Sequence, residues 1–268
     1  MDYKMLVLDL DDTLLDKNQS LSDKTIETLN RLERKGLKIV IATGRMYCSA
    51  LPKIDQIGLK GPMVTYNGAY VRDNGQDKVI LHKPIEQEIA EKIIKEAEEE
   101  GLHINLYLDD NLYVAEKNKY SELYQSISGI EAEAVGVVSN FILGSPTKLL
   151  IITDDIEIKR KYLSKFKDKY GDILEITESK DYFIEFMAKG VSKGSAVKNI
   201  ADDFGIPMEK VIAIGDNWND LEMIQQAGLG IAMENSPAGV KKEADMTAPH
   251  HDQEGVSEIL HEIFNLSD

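Results

Sequence analysis

The sequence predicts an α/β protein with a doubly wound, Rossmann-like parallel sheet as its core and an α+β domain inserted into that core. Strands and helices alternate as far as Tyr66, the same alternation returns after Gly190, and the segment between them has a different pattern. The expected core comprises residues 1–83 and 188–268, and the expected inserted domain comprises residues 84–187.

The first segment reads as three buried strands joined by two helices. Continuous apolar runs of strand length cover residues 4–10, 37–42 and 62–66. Ser22 is a typical N-cap for the first helix, Gly36 ends it, and a second helix is predicted over residues 45–57. Strands that alternate with helices in this way form a parallel sheet with right-handed crossovers.

The middle segment changes to antiparallel strands and longer helices. Asn67-Gly68 and Asp73-Asn74-Gly75 suit tight turns, so the strands beside them are expected to run antiparallel. The pattern then predicts a helix at 86–100, two strands around a turn at 109–111, a helix near Tyr120, a strand at 148–153, a helix at 157–170 and two more strands. This order of elements is typical of an α+β unit.

The last segment returns to the first pattern. The expected elements are a helix at 192–204, a buried strand at 211–214, a helix at 219–226 and a short strand at 229–232. Because strands and helices alternate in both outer segments, as in a parallel sheet, we expect the two segments to form one sheet together.

The composition is that of a globular protein with an acidic surface. Of the 268 residues, 43% are hydrophobic and 29% are charged, which allows one large domain or two smaller ones. The net charge of −16, with no stretch dense in lysine or arginine, argues against nucleic acids and anionic membranes as partners. There is no basic leader and no apolar run of membrane-spanning length, so a cytoplasmic location is expected.

Several side chains that often carry chemistry are expected to be structural. Cys48 is the only cysteine, and no base adjoins it, so a packed thiol is favoured over a nucleophile. Trp218 is expected to pack against the following helix rather than to line a cleft. A zinc site is not expected, because no histidine has ligand spacing to a strand-end carboxylate; the histidines are His82, His103, His250, His251 and His261.

The stretch Asp9-Leu10-Asp11-Asp12-Thr13 stands at the carboxyl end of the first predicted strand, where open parallel sheets place their ligand crevice. Asp9 and Asp11 are two residues apart and can face the same cleft. The plain structural alternative is an Asx-rich turn that closes the strand. This stretch on its own is therefore a moderate signal for a carboxylate site.

The stretch Gly215-Asp216-Asn217-Trp218-Asn219-Asp220 occupies the equivalent place after a later buried strand. Asp9 and Asp216, with one backbone carbonyl, would make a reasonable Mg²⁺ site, because this ion prefers a few oxygen ligands and retains waters. Helix capping by Asn219 or Asp220 is the structural alternative, and it is compatible with metal binding.

Two further short signals fit an anion site. Thr43-Gly44-Arg45 follows the second strand and opens a helix, so a hydroxyl and backbone N–H groups would point at an anion. Lys193 lies in the first turn of another predicted helix, where a lysine is usually solvated. Each signal is weak in isolation, and only their order along the chain adds weight.

That order resembles the haloacid dehalogenase superfamily of phosphatases. The resemblance consists of Asp-x-Asp-x-Thr at 9–13, then Thr43, then Lys193, then Gly-Asp-x-x-Asn-Asp at 215–220, and it spans almost the whole chain. The linker at 14–21 is too short to hold a cap domain, whereas a long segment separates Thr43 from Lys193. This arrangement is similar to the Cof-type group, subfamily IIB, which has a large α/β cap inserted there.

The resemblance implies a role for each of these residues. Asp9 would attack phosphorus and form an aspartyl-phosphate, and Asp11 would act as acid and then as base. Mg²⁺ would be held by Asp9, Asp216 and the backbone carbonyl of Asp11. Phosphoryl oxygens would be held by Thr43, Lys193, Asn219 and the amides of Leu10 and Gly44. Asp220 would orient Lys193 or a metal-bound water.

The predicted function is a magnesium-dependent phosphatase for a small phosphorylated metabolite, with sugar phosphates, pyridoxal phosphate and flavin mononucleotide as compatible classes. One alternative is a mutase, which would move a phosphoryl group between positions of a sugar phosphate under a cap that excludes water. Another is a noncatalytic phosphometabolite sensor, which would not need Asp11. No sequence feature fixes the oligomeric state.

Overall fold

The computed structural model describes residues 2–178 and 182–266, which divide into two compact units. The core unit comprises residues 2–45, 50–81 and 192–266. The inserted unit comprises residues 46–49, 82–178 and 182–191. Its junctions lie two and four residues from the positions expected at 83 and 188, and it also includes residues 46–49, which the sequence pattern assigned to the core.

Short strands and helices of ordinary length make up both units. The strands are β1 Met5–Leu8, β2 Lys38–Ala42, β3 Pro62–Thr65, β4 Tyr70–Asp73, β5 Lys78–His82, β6 His103–Leu108, β7 Asn111–Val114, β8 Glu133–Ala134, β9 Lys148–Ile152, β10 Leu174–Thr177, β11 Phe183–Ala188, β12 Val211–Gly215, β13 Leu229–Met233 and β14 Met246–Ala248.

The helices are α1 Asp23–Arg34, α2 Tyr47–Ile57, α3 Gln87–Glu99, α4 Lys119–Ser128, α5 Val138–Phe141, α6 Ile156–Tyr170, α7 Lys193–Asp203, α8 Leu221–Gln226, α9 Ala238–Glu243 and α10 Gly255–Phe264. Where the sequence pattern predicted the bounds of an element, the observed first and last residues lie within two residues of those bounds. A 3-10 turn at Trp218–Asp220 precedes α8, so that helix begins two residues later than expected.

The core unit contains a sheet of eight strands in the order β14, β13, β12, β1, β2, β3, β4, β5. The strands from β14 to β3 run parallel, and β4 is antiparallel to β3. Every residue of β1 is buried, as its apolar sequence requires of a strand near the middle of a parallel sheet. The predicted α/β class and parallel core sheet are confirmed.

The inserted unit has its own sheet, in the order β10, β11, β9, β6, β7, β8, and most of its pairs are antiparallel. An apolar cluster joins one face of this sheet to α3 and α6. Because successive residues of a strand point to opposite faces, the other face carries Asn105, Lys148 and Glu185. Asp109 and Asp110 have φ values of 51° and 59°, which fits the tight hairpin turn between β6 and β7.

The C-terminal elements extend the core unit beyond what the sequence pattern predicts. β14 continues the sheet past β13, and α10 packs beside α1, where Thr28 Oγ1 and Ser257 Oγ lie 2.9 Å apart. β14 has three residues, which is too short for hydrophobic periodicity to identify. None of the helices in residues 2–178 and 182–266 has the length and apolar character needed to cross a membrane.

Candidate active site

Three neighbouring strands of the core sheet are followed by polar residues at one edge. Asp9 follows β1, Thr43 follows β2 and Asp216 follows β12. β1 lies between β12 and β2 and runs parallel to both, so the carboxyl ends of the three strands meet. An open parallel sheet places its ligand crevice at this edge. The topology of the sheet therefore brings these three predicted site residues together.

A buried lysine links two carboxylates at this edge. The Lys193 ammonium donates to Asp9 Oδ1 at 2.5 Å and to Asp220 Oδ1 at 2.6 Å, and its side chain is 1% exposed. The Ser192 side chain caps α7 and so places Lys193 at the first residue of that helix. Burial alone lowers the pKa of Lys193, but the charges of Asp220 and Asp9 outweigh it and raise that pKa, so the ammonium stays charged.

Asp220 is held by the loop that precedes it. Its Oδ2 accepts hydrogen bonds from the backbone amides of Asp216 and Asn217 at 3.1 and 3.0 Å. A Cβ at Gly215 would lie 2.5 Å from the Cβ of Asp220, so this close approach requires glycine. Both oxygens of Asp220 are therefore engaged, one by the loop and one by Lys193.

The centre holds more negative charge than its lysine balances. Carboxylate oxygens of Asp9, Asp216 and Asp220 lie within 4.8 Å of one another. Burial raises the pKa of Asp9 to about 7, although Lys193 opposes the shift. Burial, together with the charge of Asp9, raises the pKa of Asp216 to about 9. Three crowded carboxylates beside one ammonium form an environment that a cation would stabilise.

The donor atoms of this cluster suit a hard divalent cation. Within the described part of the chain, only carboxylates make up the group, and the Thr13 hydroxyl donates to Asp216 Oδ1 at 3.4 Å. Mg²⁺ prefers such oxygen ligands, whereas imidazole or thiolate ligands would favour zinc. Because Asp220 is already engaged, Asp9 and Asp216 are the carboxylates available to an ion. The residues at this edge therefore fit Mg²⁺.

The Asp11 carboxylate is paired with an arginine instead of joining that cluster. Arg45 Nε donates to Asp11 Oδ2 at 2.8 Å, and a terminal nitrogen of the same guanidinium donates to Oδ1 at 2.5 Å. Such a bidentate pair fixes the orientation of a carboxylate. The same nitrogen also donates to the side chain of Gln19. No role for Arg45 followed from the sequence pattern, although the Thr-Gly-Arg triplet marked its position.

Polar side chains from three loops meet beside Gly44. Asn219 Nδ2 donates to Asn67 Oδ1 at 3.0 Å, and the Asn67 amide donates to the Thr43 carbonyl at 3.1 Å. A Cβ at Gly44 would lie 2.9 Å from Asn67 Oδ1, so glycine makes room for this side chain. Asn67 has a φ of 52°, a conformation that asparagine tolerates better than most residues. Asn67 was missed as a site residue, because its Asn-Gly pair was interpreted as a turn.

The backbone turns sharply directly after Asp9. The carbonyl of Leu10 accepts from the amides of Leu14 and Leu15 at 3.1 and 2.9 Å, while the Leu10 side chain is fully buried. Asp12 has a φ of 55° within this turn. The turn keeps the residues that follow Asp9 close to the end of β1.

Two other side chains have packing roles. The Trp218 ring lies against Gly239, at a distance that leaves no room for a Cβ there, and the residue is 58% exposed. It therefore packs on α9, one helix further along the chain than expected. Within the inserted unit, the Cys48 thiol donates to the Asp110 carbonyl at 3.3 Å. Burial and the charge of Asp110 raise the pKa of Cys48 to about 12, which fits the expected packed thiol.

Comparisons with known proteins agree on one family. The family model described as haloacid dehalogenase-like hydrolase matches residues 6–260. A 5-amino-6-(5-phospho-D-ribitylamino)uracil phosphatase of Bacillus subtilis is 29% identical over 270 residues, which cover 98% of both chains.

Solved structures resemble this chain over nearly its whole length. A haloacid dehalogenase-like hydrolase from Bacteroides thetaiotaomicron has a TM-score of 0.92 and 27% identity, covering 98% of this chain and 100% of that one. An X-ray structure of a Thermotoga maritima protein has a TM-score of 0.90 and 31% identity, covering 99% of this chain and 98% of that one.

Proposed function

Because the chain belongs to the haloacid dehalogenase-like hydrolases and is a phosphatase, we propose that Asp9 is the nucleophile of a magnesium-dependent reaction. The proposed substrate is a small phosphorylated metabolite, and the proposed intermediate is an aspartyl-phosphate. The single observation that carries this proposal is the buried contact of Asp9 with Lys193, beside Asp216.

The nucleophile is positioned by its own hydrogen bond. Lys193 holds Asp9 Oδ1, so the direction in which the carboxylate presents its other oxygen is restricted. Attack would form a bond between the carboxylate oxygen and phosphorus and break the bond between phosphorus and the ester oxygen. The Lys193 ammonium would also offset the negative charge that accumulates on the phosphoryl group during transfer.

Asp9 and Asp216, together with the backbone carbonyl of Asp11, are the proposed ligands of Mg²⁺. When bound, the ion would supply positive charge between the carboxylates and the phosphoryl oxygens. Asp220 keeps Lys193 in place, and Thr13 restrains Asp216 through its hydroxyl.

Asp11 is the proposed acid and base. Its pairing with Arg45 engages both carboxylate oxygens and so keeps them from binding the cation. For the acid step, Asp11 would release one of these contacts and take up a proton, which it would then give to the departing alkoxide; the carboxylate formed in this way would take a proton from the attacking water. Arg45 is therefore a positioning residue in this proposal.

The proposed phosphate cradle comprises the side chains of Thr43, Asn219 and Lys193 and the amides of Leu10 and Gly44. Asn219 donates to Asn67 in this structure, so the phosphoryl group would take over that hydrogen bond. A small ester suits the acidic chain, because a bound cation and one buried lysine can reverse the sign of the local field.

Phosphate release from a panel of phosphorylated metabolites tests the substrate and metal together. The panel should contain sugar phosphates, pyridoxal phosphate, flavin mononucleotide and the phosphoribitylaminouracil on which the named relative acts. We expect turnover of at least one with Mg²⁺ and none with a chelator. Full activity in chelator would contradict the metal proposal.

Chemical trapping tests the intermediate directly. A reaction quenched with borohydride should convert an acyl-phosphate on Asp9 to homoserine, which peptide mass spectrometry detects. Asp12→Asn is a matched control, since it changes the neighbouring aspartate of the same motif. Homoserine at another residue, or an unmodified Asp9 during turnover, would rule out this nucleophile.

We also propose that the inserted unit selects the substrate. Its sheet carries buried polar side chains opposite the apolar face, among them Asn105, which is fully buried. Asn105→Ala should change the ranking of substrates and leave the dependence on Mg²⁺ unaltered, whereas Lys165→Ala on an exposed helix face should change neither. Equal loss on every substrate would contradict this division of labour.

A further inference from the structure

The core unit contains a second cluster of metal-ligating side chains, formed by His250, His251 and Asp252. One ligand atom from each residue lies within 4.8 Å of the other two. The three residues occupy the turn between β14 and α10. We propose that this turn binds a transition-metal cation of the zinc type, separately from the Mg²⁺ cluster at Asp9.

His251 is oriented as a metal ligand would be. Its Nδ1 lies 2.9 Å from the carbonyl oxygen of Leu15. A carbonyl only accepts hydrogen bonds, so Nδ1 carries the hydrogen and the lone pair of the neutral ring is on Nε2. Metal-binding histidines usually donate their other ring nitrogen to a carbonyl or carboxylate in this way.

The other two ligands also direct electron pairs into the turn. His250 Nδ1 accepts from the Asp252 amide at 3.2 Å, so the lone pair of Nδ1 is directed towards Asp252, and a cation would take the place of that contact. Asp252 Oδ1 accepts from the Lys17 amide at 2.9 Å, which leaves Oδ2 as the ligand oxygen.

The turn is fixed by hydrogen bonds outside the three ligands. The amide of His250 donates to Glu234 Oε2 at 3.2 Å, and the amide of His251 donates to Asn235 Oδ1 at 3.3 Å. A cavity of about 170 Å³ adjoins His251 and Asp252, and its polar lining includes Asp16, Ser20, Ser22 and Thr25. The cavity gives water and a cation access to the ligands.

The donor set determines which ions fit. Two imidazole nitrogens and one carboxylate oxygen suit zinc, which is commonly four-coordinate and would keep one position for water. Mg²⁺ prefers oxygen ligands and would bind the Asp9 cluster instead. From the sequence alone a zinc site was not expected, because the histidines were considered only as partners of strand-end carboxylates.

Zinc titration of the untagged protein by calorimetry tests the proposal. The buffer contains saturating Mg²⁺, so that the Asp9 cluster is occupied. We expect the wild type to bind one more zinc equivalent than the His250→Ala/His251→Ala variant. Asp252→Asn should weaken binding about tenfold or more. His261→Gln, a histidine change in the same unit, should bind as the wild type does.

Two further measurements keep the result interpretable. Circular dichroism without metal should show the same fold for all variants, and zinc should raise the thermal midpoint of the wild type but not of the double variant. The Asp216→Asn variant should retain the zinc equivalent. The proposal is overturned if the wild type and the double variant bind zinc equally, or if Asp216→Asn abolishes the equivalent.

Discussion

Two buried charged clusters in this protein differ in how their charges balance. In the inserted unit, Lys148 Nζ lies 2.8 Å from Glu185 Oε2, and both side chains are more than nine-tenths buried. In the core unit, Lys193 contacts Asp9 and Asp220, and a third carboxylate lies within the same small cluster. The first cluster has one carboxylate for one ammonium, whereas the second has three carboxylates for one ammonium.

The pKa shifts follow this difference. Burial lowers the pKa of Lys148, but the charge of Glu185, aided by Tyr124, outweighs it and raises that pKa, so the ammonium stays charged. In the core unit, by contrast, burial and mutual repulsion raise the pKa values of Asp9 and Asp216. Both clusters contain buried charges, so burial does not distinguish them. The excess of carboxylates in the core cluster is what indicates a functional site.

The largest expected effect is a loss of activity, without a loss of folding, when Asp9 of the core cluster is replaced. Asp9→Asn removes the proposed nucleophile, so phosphate release should fall by about a thousandfold or more. Circular dichroism should show a native fold, since asparagine nearly preserves the shape of the side chain. A folded variant with more than about a thousandth of wild-type turnover would remove Asp9 from the mechanism.

Replacing the balanced pair should show that it is structural. Lys148→Met removes the ammonium that pairs with the buried Glu185, and removing one member of a buried pair typically costs about 3–5 kcal/mol. The double variant Lys148→Met/Glu185→Leu should recover most of that loss in urea unfolding. If the double variant were as unstable as the single one, the loss of stability would not come from the charge that Lys148→Met leaves on Glu185.

The arginine beside the acid and base should have a smaller effect. Arg45→Lys keeps the charge but cannot form the bidentate contact with Asp11. We therefore expect kcat to fall roughly tenfold, which corresponds to a rise of about 1.4 kcal/mol in the activation free energy. Gln19→Ala, which removes only a neighbour of the guanidinium, serves as the control. Unchanged kcat in Arg45→Lys would show that orientation of Asp11 does not limit the reaction.

The smallest expected effect is a gain in stability. Asp216→Asn removes one of the crowded carboxylates, which should stabilise the protein when a chelator is present. A gain of about 1 kcal/mol in the free energy of unfolding would raise the thermal midpoint by roughly 2–4 °C. In the folded wild type, burial raises the pKa of Asp216 from its ordinary value of 3.8 to about 9, so the wild type loses stability as pH rises between these two values. The advantage of the variant should therefore grow over this range.

Thermal scans at several pH values, with and without Mg²⁺, measure this gain. Mg²⁺ should raise the midpoint of the wild type more than that of Asp216→Asn. A variant that is less stable than the wild type in chelator at pH 8 would contradict the account of crowded carboxylates.

The sequence by itself determined the α/β class and most element positions. Buried strands and amphipathic helices have periods that a short window of sequence displays, so β1, β2 and α1 could be located from local pattern alone. The strands β8 and β14 escaped prediction, because two or three residues do not display a recognisable alternation.

The motifs likewise marked Asp9, Asp216 and Lys193 as candidates, but only the tertiary structure decided their contacts. Lys193 and Asp9 are 184 residues apart, and Asn219 and Asn67 are 152 apart. The carbonyl that orients His251 is 236 residues away, at Leu15. A charge balance, a bidentate pair or a fixed tautomer depends on atoms within a few ångströms, and the chain brings such atoms together only when the sheet has formed.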